Sequence, residues 1–193
     1  MKFKAVYFDL DGTLIDSKLN FDAMREDLNF PEEAPILEEI EKLSSPEQKA
    51  RCLKIVHEHE KKGAENSLLI PGVRDLINWL NLNNIASGIL TRNSKFCAEY
   101  MLKKHHLHFQ HVITRDDCHP KPDPAGLLKL ATIHQLSPEV CLYVGDYKFD
   151  LETAKNAGMS SALFAPKPLS EFEPLADFVF SNYQDFIPSV LLS

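Results

Sequence analysis

Two carboxylates one residue apart, Asp9 and Asp11, are followed directly by Gly12 and Thr13. An aspartate can serve as a nucleophile toward phosphorus, as a proton shuttle or as a metal ligand. Three later segments carry comparable chemistry: Thr91-Arg92-Asn93, Lys121-Pro122-Asp123-Pro124, and Gly145-Asp146 with Asp150 following. Each has a plain structural reading. Asp-x-Asp-Gly is often only a turn, Pro124 suits a helix start, and Asp150 fits the first turn of a helix, where the dipole favours an acid.

The elements that must position these residues make the functional reading more specific. Phe3 to Leu10 reads as a buried strand ending in the Asp9 motif, and Ile85 to Thr91 as a second strand ending in Thr91. His111 to Thr114, Val140 to Val144, Ser161 to Phe164 and Phe178 to Phe180 are further short strands. Between them lie helices after Pro71-Gly72, from Ser94 to His105, from Pro124 to His134, and from the Asp146 segment to a stop near Gly158. Tyr183 to Leu192 closes the core as a helix. This βαβ alternation predicts an α/β fold, a Rossmann-like parallel sheet with helices on both faces. Ligands of such sheets bind outside the carboxyl ends of the strands. The four polar segments fall there.

Brought together, Asp9, Asp11, Asp146 and Asp150 repel one another, by about 4 kcal/mol for two charges ~4 Å apart at an effective dielectric of 20. A bound cation relieves this. All-oxygen donors with no Cys or suitably placed His beside them favour a hard cation, and Mg²⁺ is the first choice. His105, His106, His108 and His111 read instead as part of a solvated helix end beside Lys103 and Lys104.

From about Lys18 to Asn66 the pattern changes to polar segments with apolar residues at helical spacing, such as Ile36, Leu37, Ile40 and Leu43. The expected organisation is therefore a core of residues 1–16 and 71–193 with a small all-helical cap, 17–70, inserted after strand one. The linkers near Asp16 to Leu19 and Ser67 to Gly72 would be its hinges. Lys18, Arg25, Lys49, Arg51 and His57 are the cap's cationic candidates for meeting a substrate.

Composition sets outer limits. The 193 residues carry a formal charge of −7 and no long basic run, which argues against nucleic acid or an anionic membrane as partner. No stretch approaches the ~18 apolar residues of a membrane span. Cys52, Cys97, Cys118 and Cys141 are widely separated and read as reduced thiols, so the cytoplasm is the expected compartment. The oligomeric state, monomer or dimer, is left open.

Asp9-x-Asp11-Gly12-Thr13, Thr91, Lys121 and Gly145-Asp146-x-x-x-Asp150 resemble, in order, the four motifs of the haloacid dehalogenase superfamily. A helical insertion between the first and second motifs resembles the cap of its phosphoglycolate-phosphatase-like branch. The resemblance implies a phosphatase in which Asp9 is the nucleophile and is transiently phosphorylated, while Asp11 shuttles the proton and offers its backbone carbonyl to Mg²⁺. It implies that Thr91 and the amides of Arg92 and Asn93 hold the phosphate oxygens, that Lys121 neutralises the phosphate and Asp9, and that Asp146 ligates the metal with Asp150 in support. A small phosphorylated metabolite, phosphoglycolate or a sugar phosphate, is the implied substrate.

Other readings share these residues. A phosphomutase would keep Asp9 and Asp11 and differ in how the cap retains the intermediate. A dehalogenase needs no metal, so the acidic set speaks against it. A receiver-like or phosphate-binding module is a non-enzymatic alternative, but a receiver places its phosphoacceptor on a later strand than its acidic pair.

Overall fold

The computed structural model describes residues 2–167 and 171–192. The chain folds into two compact units, one of Met1–Asp16 with Leu68–Ser193 and the other of Ser17–Ser67.

The larger unit is built on a six-stranded sheet of β1 (Ala5–Phe8), β4 (Ala86–Leu90), β5 (Val112–Ile113), β6 (Cys141–Gly145), β7 (Ser160–Phe164) and β8 (Phe178–Phe180). Its order is β5-β4-β1-β6-β7-β8, and every pairing is parallel. β1 sits at the point where the winding reverses, with β4 on one side and β6 on the other. That makes it the place where a crevice opens at the carboxyl edge. All four β1 residues are buried, as expected of a strand covered on both faces. Register aligns Phe8 with Ile89 and with Val144, so the three strands end level and deliver Asp9, Thr91 and Asp146 to one edge.

Helices follow the strands. α4 (Val73–Leu82) buries Val73, Leu76, Ile77 and Leu80, the one-sided stripe of an amphipathic helix. α5 (Lys95–Lys104) starts at Ser94, whose hydroxyl accepts from the Cys97 amide. That capping removes one orphan donor and is typically worth ~1 kcal/mol. α6 (Ala125–Ile133) and α7 (Lys148–Ala157) cover one face of the sheet, where Tyr7, Leu90, Leu127, Leu130, Tyr143 and Ala154 form one apolar cluster. Gly158 ends α7 at φ 71°. The tail is helical from Tyr183 to Phe186 (α8) and then widens into a π-turn over Ile187–Leu191, with Pro188 inside it. Proline lacks the amide that an ordinary α-helix needs there.

The smaller unit holds α1 (Phe21–Leu28), α2 (Ile36–Glu41) and α3 (Pro46–Asn66) around Met24, Leu28, Ile36, Ile40 and Val56. The second chain crossing comes at Leu68, ahead of the expected 71. The reason is a short antiparallel ribbon that helical periodicity does not reveal: β2 (Ile15–Asp16) pairs with β3 (Leu68–Leu69), so 68–70 belong to the larger unit. Among the described residues no helix is long and apolar enough to cross a membrane.

Candidate active site

Asp9 leaves β1 with its amide bonded to the Val144 carbonyl (2.8 Å), which fixes the nucleophile candidate to the neighbouring strand. The chain then turns tightly. Leu14 and Ile15 amides both return to the Leu10 carbonyl (2.9 Å each), and the Gly12 amide reaches the Ile15 carbonyl (2.8 Å). Gly12 is required twice over: its φ of +82° is left-handed, and a Cβ there would collide with the Asp146 carboxylate. Thr13 donates to Asp146 Oδ1 (2.9 Å), and its own carbonyl accepts from the buried Tyr183 hydroxyl (2.8 Å). Asp11 stands half-buried at the head of this turn.

At the end of β4, Thr91 is buried. Its Oγ1 accepts from both the backbone amide and the side-chain amide of Asn93 (3.2 and 3.1 Å). This differs from the expectation for Asn93, whose backbone N–H is engaged by Thr91, because a threonine hydroxyl readily closes a turn onto the amide two residues on.

Lys121, 3% exposed, sends Nζ to Asp9 Oδ1 at 2.7 Å and to Asp150 Oδ1 at 2.5 Å. Asp150 is committed on both oxygens: Oδ2 accepts from the Tyr147 amide (3.0 Å), and the Tyr143 hydroxyl lies 3.2 Å from Oδ1 and 2.8 Å from the Leu90 carbonyl oxygen. Gly145 makes room for this, since a Cβ on it would run into the Asp150 side chain. Asp150 thus holds Lys121 and the start of α7. Of the three clustered carboxylates, Asp9 and the partly exposed Asp146 are left to meet a ligand.

The electrostatics follow from burial. Carboxylate oxygens of Asp9, Asp146 and Asp150 lie within 4.8 Å of one another. Burial, reinforced by the Asp150 charge and opposed by Lys121, pushes the Asp9 carboxyl up to about 7. Burial and then the Asp150 and Asp9 charges push Asp146 well above the usual carboxylate range. Burial would lower the Lys121 ammonium, but Asp150 and Asp9 outweigh it and hold the group above its ordinary value. One ammonium faces three carboxylates. Such a set favours a divalent cation among oxygen donors, so the residues present fit a metal.

The expectation for Arg92 concerns its backbone amide; its side chain packs toward the Lys121 loop. Its Nη1 donates to the Lys121 carbonyl (2.9 Å), and its guanidinium carbon lies 4.6 Å from the Phe149 ring centre. The Arg92 carbonyl accepts from Arg115 Nη1 (2.8 Å). Tyr143, Tyr183 and Arg115 support the site without having been singled out by sequence. The tyrosines sit in apolar runs that look like ordinary core, and Arg115 follows a short edge strand with no motif to mark it. Of the clustered histidines, His105 caps the end of α5 beside Lys103 and Lys104, and His111 faces His134 with ring centres 5.1 Å apart.

Comparison with known proteins bears on family and fold. Residues 18–164 match the family model for haloacid dehalogenase-like hydrolases. An uncharacterized hydrolase of Saccharomyces cerevisiae is 30% identical over 166 residues, covering 83% of this chain and 76% of its own. A phosphoglycolate phosphatase of Vibrio cholerae is 30% identical over 223 residues, covering 98% of both chains. In fold, a hydrolase from Pseudomonas syringae superposes with a TM-score of 0.82 at 23% identity, covering 98% of both chains. By its ordered motifs, its parallel sheet and these matches, the chain belongs to the haloacid dehalogenase-like hydrolases.

Proposed function

We propose that the protein is a phosphatase that hydrolyses a small phosphomonoester through a phosphorylated Asp9, with Mg²⁺ as its cofactor. The observation that carries this is the buried cluster in which Lys121 bridges Asp9 and Asp150 while Asp146 stands beside them. Phosphoryl transfer depends mainly on positioning and charge neutralisation, and this cluster supplies both.

In the proposed mechanism an Asp9 carboxylate oxygen attacks phosphorus as the P–O bond to the leaving group breaks. Lys121 neutralises Asp9 and the incoming phosphoryl oxygens. Thr91, whose oxygen is already engaged as an acceptor by Asn93, turns its hydroxyl hydrogen to a phosphate oxygen. Asp11 gives its proton to the departing alkoxide, then takes one from the water that attacks the aspartyl phosphate. Asp9, Asp146 and the Asp11 backbone carbonyl would hold Mg²⁺, which when bound supplies charge neutralisation at the phosphoryl oxygens. Asp150 keeps Lys121 and the start of α7 in place.

The helical residues 17–67 would serve as the cap that selects the leaving group. The 30% identity to a phosphoglycolate phosphatase over nearly the whole chain supports a small anionic metabolite as substrate. The four cysteines, with no disulfide among the described residues, suit a cytoplasmic setting. Hydrolysis of a chromogenic phosphate ester, with and without Mg²⁺, tests the reading. Metal-dependent turnover that Asp9→Asn abolishes is expected, and turnover surviving that substitution would remove Asp9 from the mechanism.

A further inference from the structure

We propose that the Arg92 side chain is a positioning residue for Lys121 rather than a contact to substrate, a claim that rests on the phosphatase reading above for its kinetic consequences. Directly after Thr91, a flexible cation would be expected to reach for an anionic ligand. Instead its guanidinium spans the segments that must stay in register. It leaves the end of β4, donates from Nη1 to the Lys121 carbonyl at 2.9 Å, and lies over the Phe149 ring in the first turn of α7 at 4.6 Å. Phe149 is flanked by Lys148, whose Nζ sits 5.5 Å from the ring centre, and by Tyr147, with ring centres 5.4 Å apart. The strut is itself braced, because Arg115, beyond β5, donates to the Arg92 carbonyl at 2.8 Å.

The need for such a brace follows from where Lys121 sits. It comes from a loop ahead of α6, not from a strand end, and its ammonium must bisect Asp9 and Asp150 at 2.7 and 2.5 Å. A loop lacks the ladder that fixes β1, β4 and β6. A planar guanidinium fork stacked on an aromatic ring offers directional hydrogen bonding from a fixed plane, which a lysine at the same position does not reproduce. Arg92 therefore acts on the phosphoryl side of the reaction through Lys121, and its removal affects all phosphate esters alike.

The test compares Arg92→Ala, Arg92→Lys and Phe149→Ala with the wild type on two esters, one with a neutral aryl leaving group and phosphoglycolate with its carboxylate. Positioning predicts that Arg92→Ala lowers kcat/KM by the same factor on both, between about tenfold and a hundredfold. Arg92→Lys should recover part of that loss, and Phe149→Ala should show a smaller loss of the same pattern. The Mg²⁺ activation midpoint should not move, and each variant should remain folded at the assay temperature despite a lower melting temperature. A loss confined to phosphoglycolate, or no loss on either ester, overturns the proposal.

An independent readout needs no turnover: the ¹⁵N signal of the Lys121 ammonium in lysine-labelled protein, assigned by its absence from Lys121→Met. Arg92→Ala should shift or broaden this signal, and an unchanged signal overturns the proposal even if every ester tested is inert. Inert wild-type protein would count against the phosphatase reading alone.

Discussion

At the scale of single residues the site is a charge problem that one lysine relieves in part. Lys121 is the ammonium that Asp9 and Asp150 share, so Lys121→Met leaves two buried carboxylates uncompensated. Removing one partner of a buried pair typically costs ~3–5 kcal/mol. Denaturant unfolding of metal-free Lys121→Met should show a loss of that order, and Lys121→Met with Asp150→Asn should be more stable than Lys121→Met alone. A second titratable group packs against β1. His134 stacks on Tyr7, with its Nδ1 3.1 Å from the Tyr7 hydroxyl, and burial followed by neighbouring His111 pushes its pKa below the ordinary histidine value. Below that ordinary value, ~6.5, the unfolded chain takes up a proton that the folded one resists. Its contribution is therefore complete above ~6.5 and is lost as pH falls through the lower folded value. The drop in melting temperature from neutral pH to pH ~5 should be smaller in His134→Gln than in the wild type.

At the scale of elements, what matters is how closely the strand ends approach. Gly145 ends β6 where the Asp150 side chain folds back beneath it, and an added methyl would meet that carboxylate. Gly145→Ala should lose ~1–3 kcal/mol by overpacking. It should also lose activity out of proportion, because Asp150 holds Lys121; thermal melts and turnover of the same sample check both. The core strands and helices were legible in the sequence because Val73, Leu76, Ile77 and Leu80 repeat at helical spacing and β1 is uniformly apolar. The β2–β3 ribbon was not. Two residues in each strand are too few to show period-two alternation, and the pairing joins segments some fifty residues apart. The Asp9 and Asp146 grouping was readable because each follows directly on a strand, and Lys121 because it opens the Lys-Pro-Asp-Pro segment that leads into α6. The Arg92 strut was not, since sequence neighbours do not reveal that its guanidinium turns to the Lys121 carbonyl.

For the molecule as a whole, a buried site with more carboxylates than cations couples metal binding to folding. Any ligand that binds only the folded state stabilises it, by about 2.7 kcal/mol at a hundred times its dissociation constant. Excess Mg²⁺ should raise the wild-type melting temperature, and Asp146→Asn should remove most of that rise. A rise of equal size in Asp146→Asn would place the cation elsewhere. The central claim, that Asp9 carries the phosphoryl group, is tested most directly by acid-quenching the enzyme during turnover of phosphoglycolate with Mg²⁺ and mapping phosphorylated peptides by mass spectrometry. The account predicts one added phosphoryl group on Asp9, absent from Asp9→Asn and from samples without Mg²⁺. Turnover with Asp9 unmodified, or a phosphoryl group trapped on any other side chain, would contradict it.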